Sequence, residues 1–90
     1  MIDFAKYIKD KDDLAFITEI SQALENQNEI PLSFKEKSFS IEPTCGQIWV
    51  YENIDTSPLK FADFEDFCFN YRLDGKPFIE QISLVEDADF

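Results

Sequence analysis

The fold is decided by the stretch Leu59-Lys60-Phe61-Ala62-Asp63-Phe64-Glu65-Asp66-Phe67-Cys68-Phe69-Asn70-Tyr71, which holds four of the ten Phe residues. Aromatic residues and one Cys recur along it at steps of three and four. On a helix these positions share one face, namely Phe61, Phe64, Phe67, Cys68 and Tyr71. The acids of the stretch fall away from that face. An apolar face of this width must be covered, so the pattern predicts a helix packed against the core.

Two starts are open for this helix. A short extended piece, 58–61, can precede it, with Asp63 as the N-cap and Asp66 three residues later in a weak capping-box arrangement. Alternatively, Ser57 is the cap and Pro58 lies in the first turn. Capping explains Asp63 and Asp66 better than a catalytic pair of carboxylates does.

Length and composition indicate one small folded domain over residues 1–90. Of these residues, 44% are apolar and 16% aromatic, which excludes disorder for most of the chain. Helical and alternating patterns follow in the order helix, strands, helix, short helix. This order predicts an α+β fold, in which a small antiparallel sheet carries helices packed on one face. Residues 86–90 are predicted to form an acidic tail.

The N-terminal part is predicted to be helical. Asp3 can cap a first short helix whose inward residues are Phe4, Ala5 and Ile8. The main helix is predicted over about 13–27, with Asp12 as its cap. Its apolar stripe is Leu14, Ile17, Ile20 or Ser21, and Leu24, widened by Phe16 and Ala23.

A break in the alternating pattern divides the first extended region. Leu32 and Phe34 stand at even positions, whereas Phe39 and Ile41 stand at odd ones. One regular strand would therefore place the two pairs on opposite faces. A bulge or a tight turn over 35–37 resets the phase, and we favour a short hairpin or bulge there.

The clearest strand is predicted over 47–54, after a turn over 42–46 that contains Pro and Gly. Its Ile and Val side chains lie on one side, and Trp49 and Tyr51 lie on the other. Two apolar faces are typical of a central strand that is covered on both sides, which is the interpretation we favour. In the alternative, Trp49 and Tyr51 form an exposed aromatic patch, since both residue types are preferred anchors at interfaces.

A turn and a short helix are predicted near the C-terminus. Asp74 and Gly75 have the composition of a helix-ending turn. Pro77 can open one more short helix, whose inward residues are Phe78, Ile79 and Ile82.

The formal net charge of −11 is the strongest global feature of the sequence. Residues 1–45 carry nine acids and five bases, a net charge of −4, and residues 46–90 carry ten acids and three bases, a net charge of −7. Such a charge repels nucleic acid and anionic membranes and attracts basic partners. Solubility alone also accounts for an acidic surface, so the charge favours a class of partner without identifying one.

The residue inventory argues against most catalytic and metal chemistry. The chain contains no His, which excludes Ser-His-Asp and Cys-His systems and Cys/His zinc sites within it. Its two Gly residues cannot build a phosphate loop, and Cys45 and Cys68 form no paired motif. We predict a non-enzymatic protein with no cofactor and no metal. An enzyme that uses carboxylates alone is the remaining catalytic alternative.

The sequence also predicts a compartment. No basic region followed by an apolar run stands at the start, and no stretch approaches the length of a membrane helix. We therefore expect a cytoplasmic protein with reduced thiols and no contact with a membrane.

Two segments, 46–53 and 59–67, resemble the C-terminal strand–strand–helix end of SUKH-type immunity proteins. The first reads Gly-Gln-Ile-Trp-Val-Tyr-Glu-Asn, and Ala62-Asp63-Phe64-Glu65-Asp66-Phe67 is similar to the piece "ADSFEEFL" with one residue missing. The resemblance implies a soluble, acidic α+β protein, and many members of that superfamily protect a bacterium by binding a toxin domain. It covers about twenty residues and carries no fixed catalytic motif onto this chain.

These observations favour an inhibitor that binds a basic protein, such as a toxin nuclease or another nucleic-acid-processing protein. A DNA mimic, whose carboxylates stand in for phosphates, is a variant of the same idea. The predicted partner-binding residues are Asp55, Asp63, Glu65, Asp66, Asp87 and Asp89, with Trp49 and Tyr51 as anchors. On this view Asp66→Lys weakens binding and leaves folding almost untouched. The alternative is an accessory protein that self-assembles through an exposed aromatic surface. We expect the chain to be a monomer or a homodimer that does not bind nucleic acid directly.

Overall fold

A computed structural model describes residues 3–53, 55 and 57–87. In chain order the elements are a first 3₁₀ helix (Phe4–Lys6), α1 (Lys11–Glu25), β1 (Ile30–Phe34), β2 (Lys37–Thr44), β3 (Gln47–Tyr51), β4 (Leu59–Phe61), α2 (Phe64–Asn70), β5 (Arg72–Leu73), β6 (Lys76–Pro77), a second 3₁₀ helix (Phe78–Leu84) and β7 (Val85–Asp87). Five antiparallel strands form one sheet in the spatial order β4-β3-β2-β1-β7, and β5 and β6 form a separate hairpin. The protein thus has the predicted α+β fold, with its helices on one face of the sheet.

The first 3₁₀ helix has the predicted cap. The Asp3 carboxylate accepts a hydrogen bond of 3.1 Å from the backbone N–H of Ala5. Ile8 is buried and Phe4 is half-buried, as predicted, whereas Ala5 is exposed. The short helix therefore directs one ring and one aliphatic side chain toward the core.

The main helix, α1, begins earlier than predicted and has a different cap. The Asp10 carboxylate accepts hydrogen bonds from the backbone N–H groups of Asp12 and Asp13, at 2.9 and 3.1 Å. Asp12, the predicted cap, lies in the first turn, where an acid is favoured by the helix dipole. The buried stripe is Ile17, Ile20 and Leu24, as its periodicity predicts.

The break in the alternating pattern is a tight turn. Lys35 and Glu36 join β1 to β2, and Lys35 has a φ of 55°. Leu32 pairs with Phe39 across the hairpin, so the two apolar sets face the same side of the sheet. Of the two alternatives, a bulge is thus wrong.

The turn between β2 and β3 is shorter than predicted. It consists of Cys45 and Gly46, whose φ values are 52° and 79°. Glu42 and Pro43 belong to β2, where both pair with β3. β1 pairs with β2 as far as Ile41, so the missing N–H of Pro43 lies beyond the β1 ladder and costs it no hydrogen bond.

The aromatic stretch is divided between elements instead of lying on one helix. Phe61 belongs to β4, α2 begins at Phe64 with Asp63 as its N-cap, and Tyr71 follows α2 in an extended conformation. The rings still meet as the spacing predicts. The ring centroid of the fully buried Phe67 lies 5.6 Å from that of Phe61, 5.8 Å from that of Phe64 and 5.1 Å from that of Tyr71.

The C-terminal segments differ in part from the prediction. Asp74 and Gly75, with φ values of 57° and 84°, form the turn of the β5–β6 hairpin and do not end a helix. The Asp74 carboxylate lies 2.7 Å from the ammonium of Lys35 and so joins two hairpin turns. The short helix after Pro77 buries Phe78, Ile79, Gln81 and Ile82.

The first two residues of the predicted acidic tail belong to the sheet. Glu86 and Asp87 belong to β7, which pairs antiparallel with β1. The buried Val85 pairs with Phe34 and anchors this strand, while both acids are exposed. Three residues with two acids are too short and too polar to show a strand pattern. Residues 88–90 and the predicted strand end at Ile54 lie outside the described residues.

The two faces of the sheet differ in cover. The covered face packs against the helices and carries Leu32, Phe34, Phe39, Ile41, Ile48, Val50 and Val85, which are all buried. The residues that alternate with these are each half-buried or exposed, and we call their side the open face: Pro31, Ser33, Ser38, Ser40, Glu42, Thr44, Gln47, Trp49, Tyr51, Lys60 and Glu86. The favoured prediction, that Trp49 and Tyr51 lie on a covered face, is therefore wrong. β3 is interior within the sheet, yet the described residues supply no second layer over its aromatic side.

Within the described residues, no helix combines the length and the apolarity that crossing a membrane requires.

Candidate functional site

A groove lies between α1 and the start of α2. It has a volume of about 500 Å³ and is lined by Phe4, Thr18, Ser21, Gln22, Glu25, Asp63, Phe64 and Glu65. It combines a carboxylate rim with aromatic rings, so its chemistry suits a ligand that is both cationic and partly apolar.

The aromatic part of the groove is held by ring packing. Phe4 meets Phe64 edge to face, with 5.8 Å between ring centroids and an interplanar angle of 72°. Phe64 in turn stacks on Phe67, whose ring is fully buried. Phe4 and Phe64 are both half-buried, so each presents part of its ring to the groove. The apolar surface is therefore fixed to the core and does not depend on a mobile loop.

The carboxylates of the groove come from two separate elements. Glu25 ends α1, whereas Asp63 and Glu65 stand at the start of α2. Of the described residues that line the groove, none is Lys or Arg. The local charge is thus negative and uncompensated, which attracts an ammonium or guanidinium group.

The described residues do not form a metal site. No group of three or more Cys, Asp or Glu side chains within residues 3–53, 55 and 57–87 is placed to hold a metal ion. The groove acids flank aromatic rings instead of converging on one point, and this arrangement suits an organic cation better than a hard metal ion.

Asp66, one of the predicted binding residues, has a structural role. Its backbone N–H donates to Asp63 Oδ1 at 2.8 Å, and its own Oδ2 accepts from the backbone N–H of Ala62 at 2.8 Å. Its Oδ1 accepts from the Asn70 side chain at 2.6 Å. Asp63 thus caps α2 as the sequence indicates, and the Asp66 carboxylate reaches back to the N–H of Ala62, one residue before the N-cap. The expectation that Asp66→Lys leaves folding untouched conflicts with the two hydrogen bonds that this carboxylate accepts.

The structure distributes the other predicted residues over separate places. Asp55 is exposed in the β3–β4 connection, and its backbone N–H donates to Asn53 Oδ1 at 2.9 Å. Asp87 lies with Glu19 at a smaller groove of about 210 Å³ beside α1. Trp49 and Tyr51 lie on the open face, and Asp89 lies outside the described residues. Of the predicted binding residues, Asp63 and Glu65 thus line the same groove, and the others that the structure describes lie at separate places.

Sequence reasoning missed the contribution of Phe4 and Glu25 to the groove. The stripe of α1 shows that Glu25 faces outward, and Phe4 is predicted to face inward, but nothing in the chain order places either beside Phe64. Some forty residues separate α1 from α2, so their proximity is a tertiary fact. The sequence offers only one signal, which is that Phe4, Phe64 and Glu25 each stand at a helix terminus.

A second polar cluster lies at the rim of the covered face. The Tyr71 hydroxyl donates to Glu52 Oε2 at 2.6 Å, and the Lys37 ammonium forms an ion pair with the same carboxylate. Burial alone raises the pKa of Glu52, but the hydrogen bonds from Lys37 and Tyr71 and the charge of Lys37 together lower it below its ordinary value. Burial, followed by the hydrogen bond and charge of Glu52, raises the pKa of Tyr71. The side chains of Lys37, Glu52 and Tyr71 bind one another, which indicates that the cluster has a structural role.

The two thiols differ in environment. Cys68 is fully buried, and this burial, with smaller contributions from the charges of Glu65 and Asp63, raises the pKa of its thiol. Cys45 is exposed at the β2–β3 turn, and both thiols are free. The buried Cys68 is a core residue and an unsuitable nucleophile.

Comparisons of the chain with protein-family models, with curated proteins and with solved structures give no match. The function is therefore argued from the groove and the surface.

Proposed function

We propose that this protein is a non-enzymatic inhibitor that binds a basic protein partner through the acidic groove. The observation that carries the proposal is the placing of Glu25, Asp63 and Glu65 around the rings of Phe4 and Phe64. The partner class is a toxin nuclease or another nucleic-acid-processing protein, because such proteins expose basic surfaces for nucleic acid. The resemblance to SUKH-type immunity proteins supports the same class of function.

The groove fits the side chain of a Lys or Arg from the partner. The methylene stem can pack on Phe4 and Phe64 while the charged end reaches Glu25 or Glu65. A cation beside an aromatic face gains about 0.5–2 kcal/mol according to its desolvation. Salt bridges at an exposed rim contribute less, about 0.2–1 kcal/mol each. The combination of ring and carboxylate thus discriminates for a cationic side chain over an inorganic cation.

The charge of the whole molecule supports fast association. The formal net charge is −11, and two ion pairs, Lys35–Asp74 and Lys37–Glu52, are present within the described part of the chain. Most of the acids therefore contribute to a long-range negative field. A field of this sign accelerates encounter with a basic partner and weakens as ionic strength rises.

Inhibition follows if the basic surface of the partner is also its nucleic-acid site. The carboxylates then occupy the positions that phosphates would occupy, and the substrate is excluded. In the DNA-mimic form of the proposal, nucleic acid and this protein compete for the same residues of the partner. In the immunity form, the protein covers a neighbouring surface and still blocks catalysis.

The first experiment compares two reversals of charge on the same helix. Immobilised wild-type protein, Glu25→Lys and Glu19→Lys are each used to capture proteins from host lysate at low salt, followed by elution with rising salt. Both residues are exposed on α1, but Glu25 lines the acidic groove and Glu19 does not. We expect one basic protein that elutes with salt from wild type and from Glu19→Lys and is lost with Glu25→Lys. Equal retention by all three proteins would sink the assignment of the groove.

The second experiment tests inhibition directly. The captured partner is purified and its nucleic-acid-processing activity is measured with added wild-type protein or Glu25→Lys. We expect loss of activity near equimolar wild type and full activity with the variant at the same concentration. A partner that binds without any change in its activity would refute the inhibitory role.

A further inference from the structure

The acidic groove between α1 and α2 continues into a second basin toward the β2–β3 turn. The second basin has a volume of about 300 Å³ and shares Ser21, Glu25 and Phe64 with the acidic groove. Because these three residues border both cavities, the two cavities are continuous. The other residues that line the second basin come from the end of α1, the residues after it and the two sides of the turn, namely Leu24, Gln27, Pro43, Gly46, Gln47 and Ile48.

The two cavities differ in charge and polarity. Three carboxylates line the acidic groove, whereas Glu25, at the junction, is the one charged residue among the described residues that line the second basin. Of the apolar side chains of the second basin, Leu24 and Ile48 are buried. Pro43 and Phe64 are half-buried, so each presents apolar surface to an occupant. A ligand that complements both cavities therefore carries a cation at one end and an apolar group at the other.

The length of the groove fits a short extended chain. Along α1 the lining of the two cavities runs from Thr18 to Glu25, which is seven steps of about 1.5 Å, or roughly 10 Å. An extended chain rises about 3.3 Å per residue, and side chains two positions apart point to the same side. A cationic and an aliphatic side chain at this spacing are about 7 Å apart, so each cavity can hold one of them.

Uncharged polar side chains accompany the groove along this length. Thr18, Ser21 and Gln22 line the acidic groove, and Ser21 and Gln27 line the second basin. Their hydroxyl and amide groups can both donate and accept hydrogen bonds. The backbone of a single extended segment has N–H and C=O groups without internal partners, whereas a helix pairs most of its own. The polar lining thus favours an extended segment over a helix.

We propose that the groove binds an extended segment of the partner in which a Lys or Arg and an aliphatic residue stand two positions apart. This inference rests on the proposed function, because it specifies which part of the basic partner enters the acidic groove. The cation lies among the carboxylates, with its stem on Phe4 and Phe64. The aliphatic side chain packs in the second basin against Phe64 and Pro43. The partner is thus recognised by a charge and by an apolar group at a fixed distance from it.

The test is an NMR titration of isotopically labelled full-length protein with short peptides. The two probes are acetyl-Ser-Arg-Ser-Leu-Ser-amide and its reverse, acetyl-Ser-Leu-Ser-Arg-Ser-amide, and each has controls in which Ser replaces either Leu or Arg. We expect one probe to bind with a dissociation constant on the order of 1 mM, about fivefold tighter than its control without Leu and at least about tenfold tighter than its control without Arg. The backbone amides of Glu25 and Phe64 should shift with every peptide that contains Arg, and that of Gly46 only when Leu is also present.

Two variants that add the same charge test the second basin from the side of the protein. Pro43→Glu places a carboxylate in the second basin, at a position beyond the β1 ladder, where a residue with an N–H is tolerated. Thr44→Glu is the matched control, because it adds the same charge at the next position, on the open face. We expect Pro43→Glu to abolish the fivefold advantage of Leu over Ser and Thr44→Glu to keep it. Far-UV circular dichroism establishes that each variant is folded.

Three results would overturn the inference and leave the proposed function standing, provided that Glu25→Lys still loses the captured basic protein. The first is the absence of any amide shift up to about 10 mM peptide. The second is equal binding of a probe and its control without Leu, since the partner then inserts a single cationic side chain. The third is an advantage of Leu that Pro43→Glu and Thr44→Glu reduce equally, since Leu then binds elsewhere. If Glu25→Lys captures as much basic protein as wild type, the proposed function itself fails, and this inference fails with it.

Discussion

The two faces of the sheet are built from the same strands and show opposite chemistry. On the covered face Leu, Ile, Val and Phe alternate into a core that the helices close. On the open face the intervening residues are Ser, Thr, Pro, Gln, Trp and Tyr, together with the charged Glu42, Lys60 and Glu86. The difference shows that alternation determines the side to which a residue points, but not what lies over that side. Most of the acids of this chain lie on helices and loops, and those in the strands of the described residues are Glu42, Glu86 and Asp87.

The largest effect is expected in α2, in the core that lies over the covered face. Phe67→Ala removes a ring that is fully buried and contacts Phe61, Phe64, Tyr71 and Phe78. We expect a loss of about 3–5 kcal/mol in the free energy of unfolding, because the cavity cannot collapse around four neighbouring rings. Urea denaturation measures it, with Phe67→Leu as a milder variant if the Ala protein does not fold. A loss below about 1 kcal/mol is typical of a surface site and would contradict the assignment of Phe67 to the core.

The buried thiol of α2, in the core over the covered face, also predicts a fall in stability at alkaline pH. Burial raises the pKa of Cys68 above the ordinary thiol value of 9.0, so above that value the unfolded thiol ionises while the folded thiol keeps its proton. The unfolded state then binds fewer protons, and the free energy of unfolding falls by about 1.4 kcal/mol per pH unit for this group. Cys68→Val should show a shallower fall between about pH 9 and 10, before Tyr71 adds its own effect. Identical slopes for the two proteins would mean that the thiol is accessible.

A smaller effect is expected where the aromatic cluster meets the acidic groove. Asp66→Ala removes the acceptor for the backbone N–H of Ala62 and for the side chain of Asn70. We expect a loss of about 1 kcal/mol, the usual cost of a helix cap. The matched change is Glu65→Ala, which removes an exposed acid one position earlier and should cost less than about 0.5 kcal/mol. If thermal unfolding shows equal losses of stability for the two variants, the hydrogen bonds accepted by Asp66 do not stabilise the protein.

The smallest effect on folding is expected on the open face. Trp49→Ser should change the free energy of unfolding by less than about 1 kcal/mol, because no second layer depends on the ring. Its removal frees Lys60 from the cation–π contact, which contributes about 0.5–1 kcal/mol at an exposed site. A loss as large as that of Phe67→Ala would mean that the open face is a second core, and the comparison would fail.

Much of the fold could be predicted from periodicity and cap chemistry. The stripe of α1, the reset of phase at Lys35, the cap at Asp63 and the short helix after Pro77 all follow from local rules that the tertiary structure preserves. The N-cap of α1 was harder to predict, because Asp10 and Asp12 are equally suitable caps in the sequence. β7 was missed since two of its three residues are acids.

The candidate site was less predictable than the fold. Asp63 and Glu65 were identified from their position outside an apolar face, but their groove depends on Phe4 and Glu25, which tertiary packing brings to them. The sequence suggests Asp66 both as a binder and as a cap, and its hydrogen bonds show the capping role. Whether Trp49 and Tyr51 are covered depends on the presence of another layer, which strand alternation does not encode.

The pairing of β7 with β1 has a consequence for how the protein is made. β1 is the second strand from one edge of the sheet, and its outer neighbour is supplied by residues 85–87, about fifty positions later. A nascent chain therefore holds one side of β1 unpaired until Val85 has left the ribosome. Contacts of such separation slow folding, and an unpaired strand edge favours intermolecular association. The net charge of −11 opposes association between neighbouring copies while β1 lacks this strand.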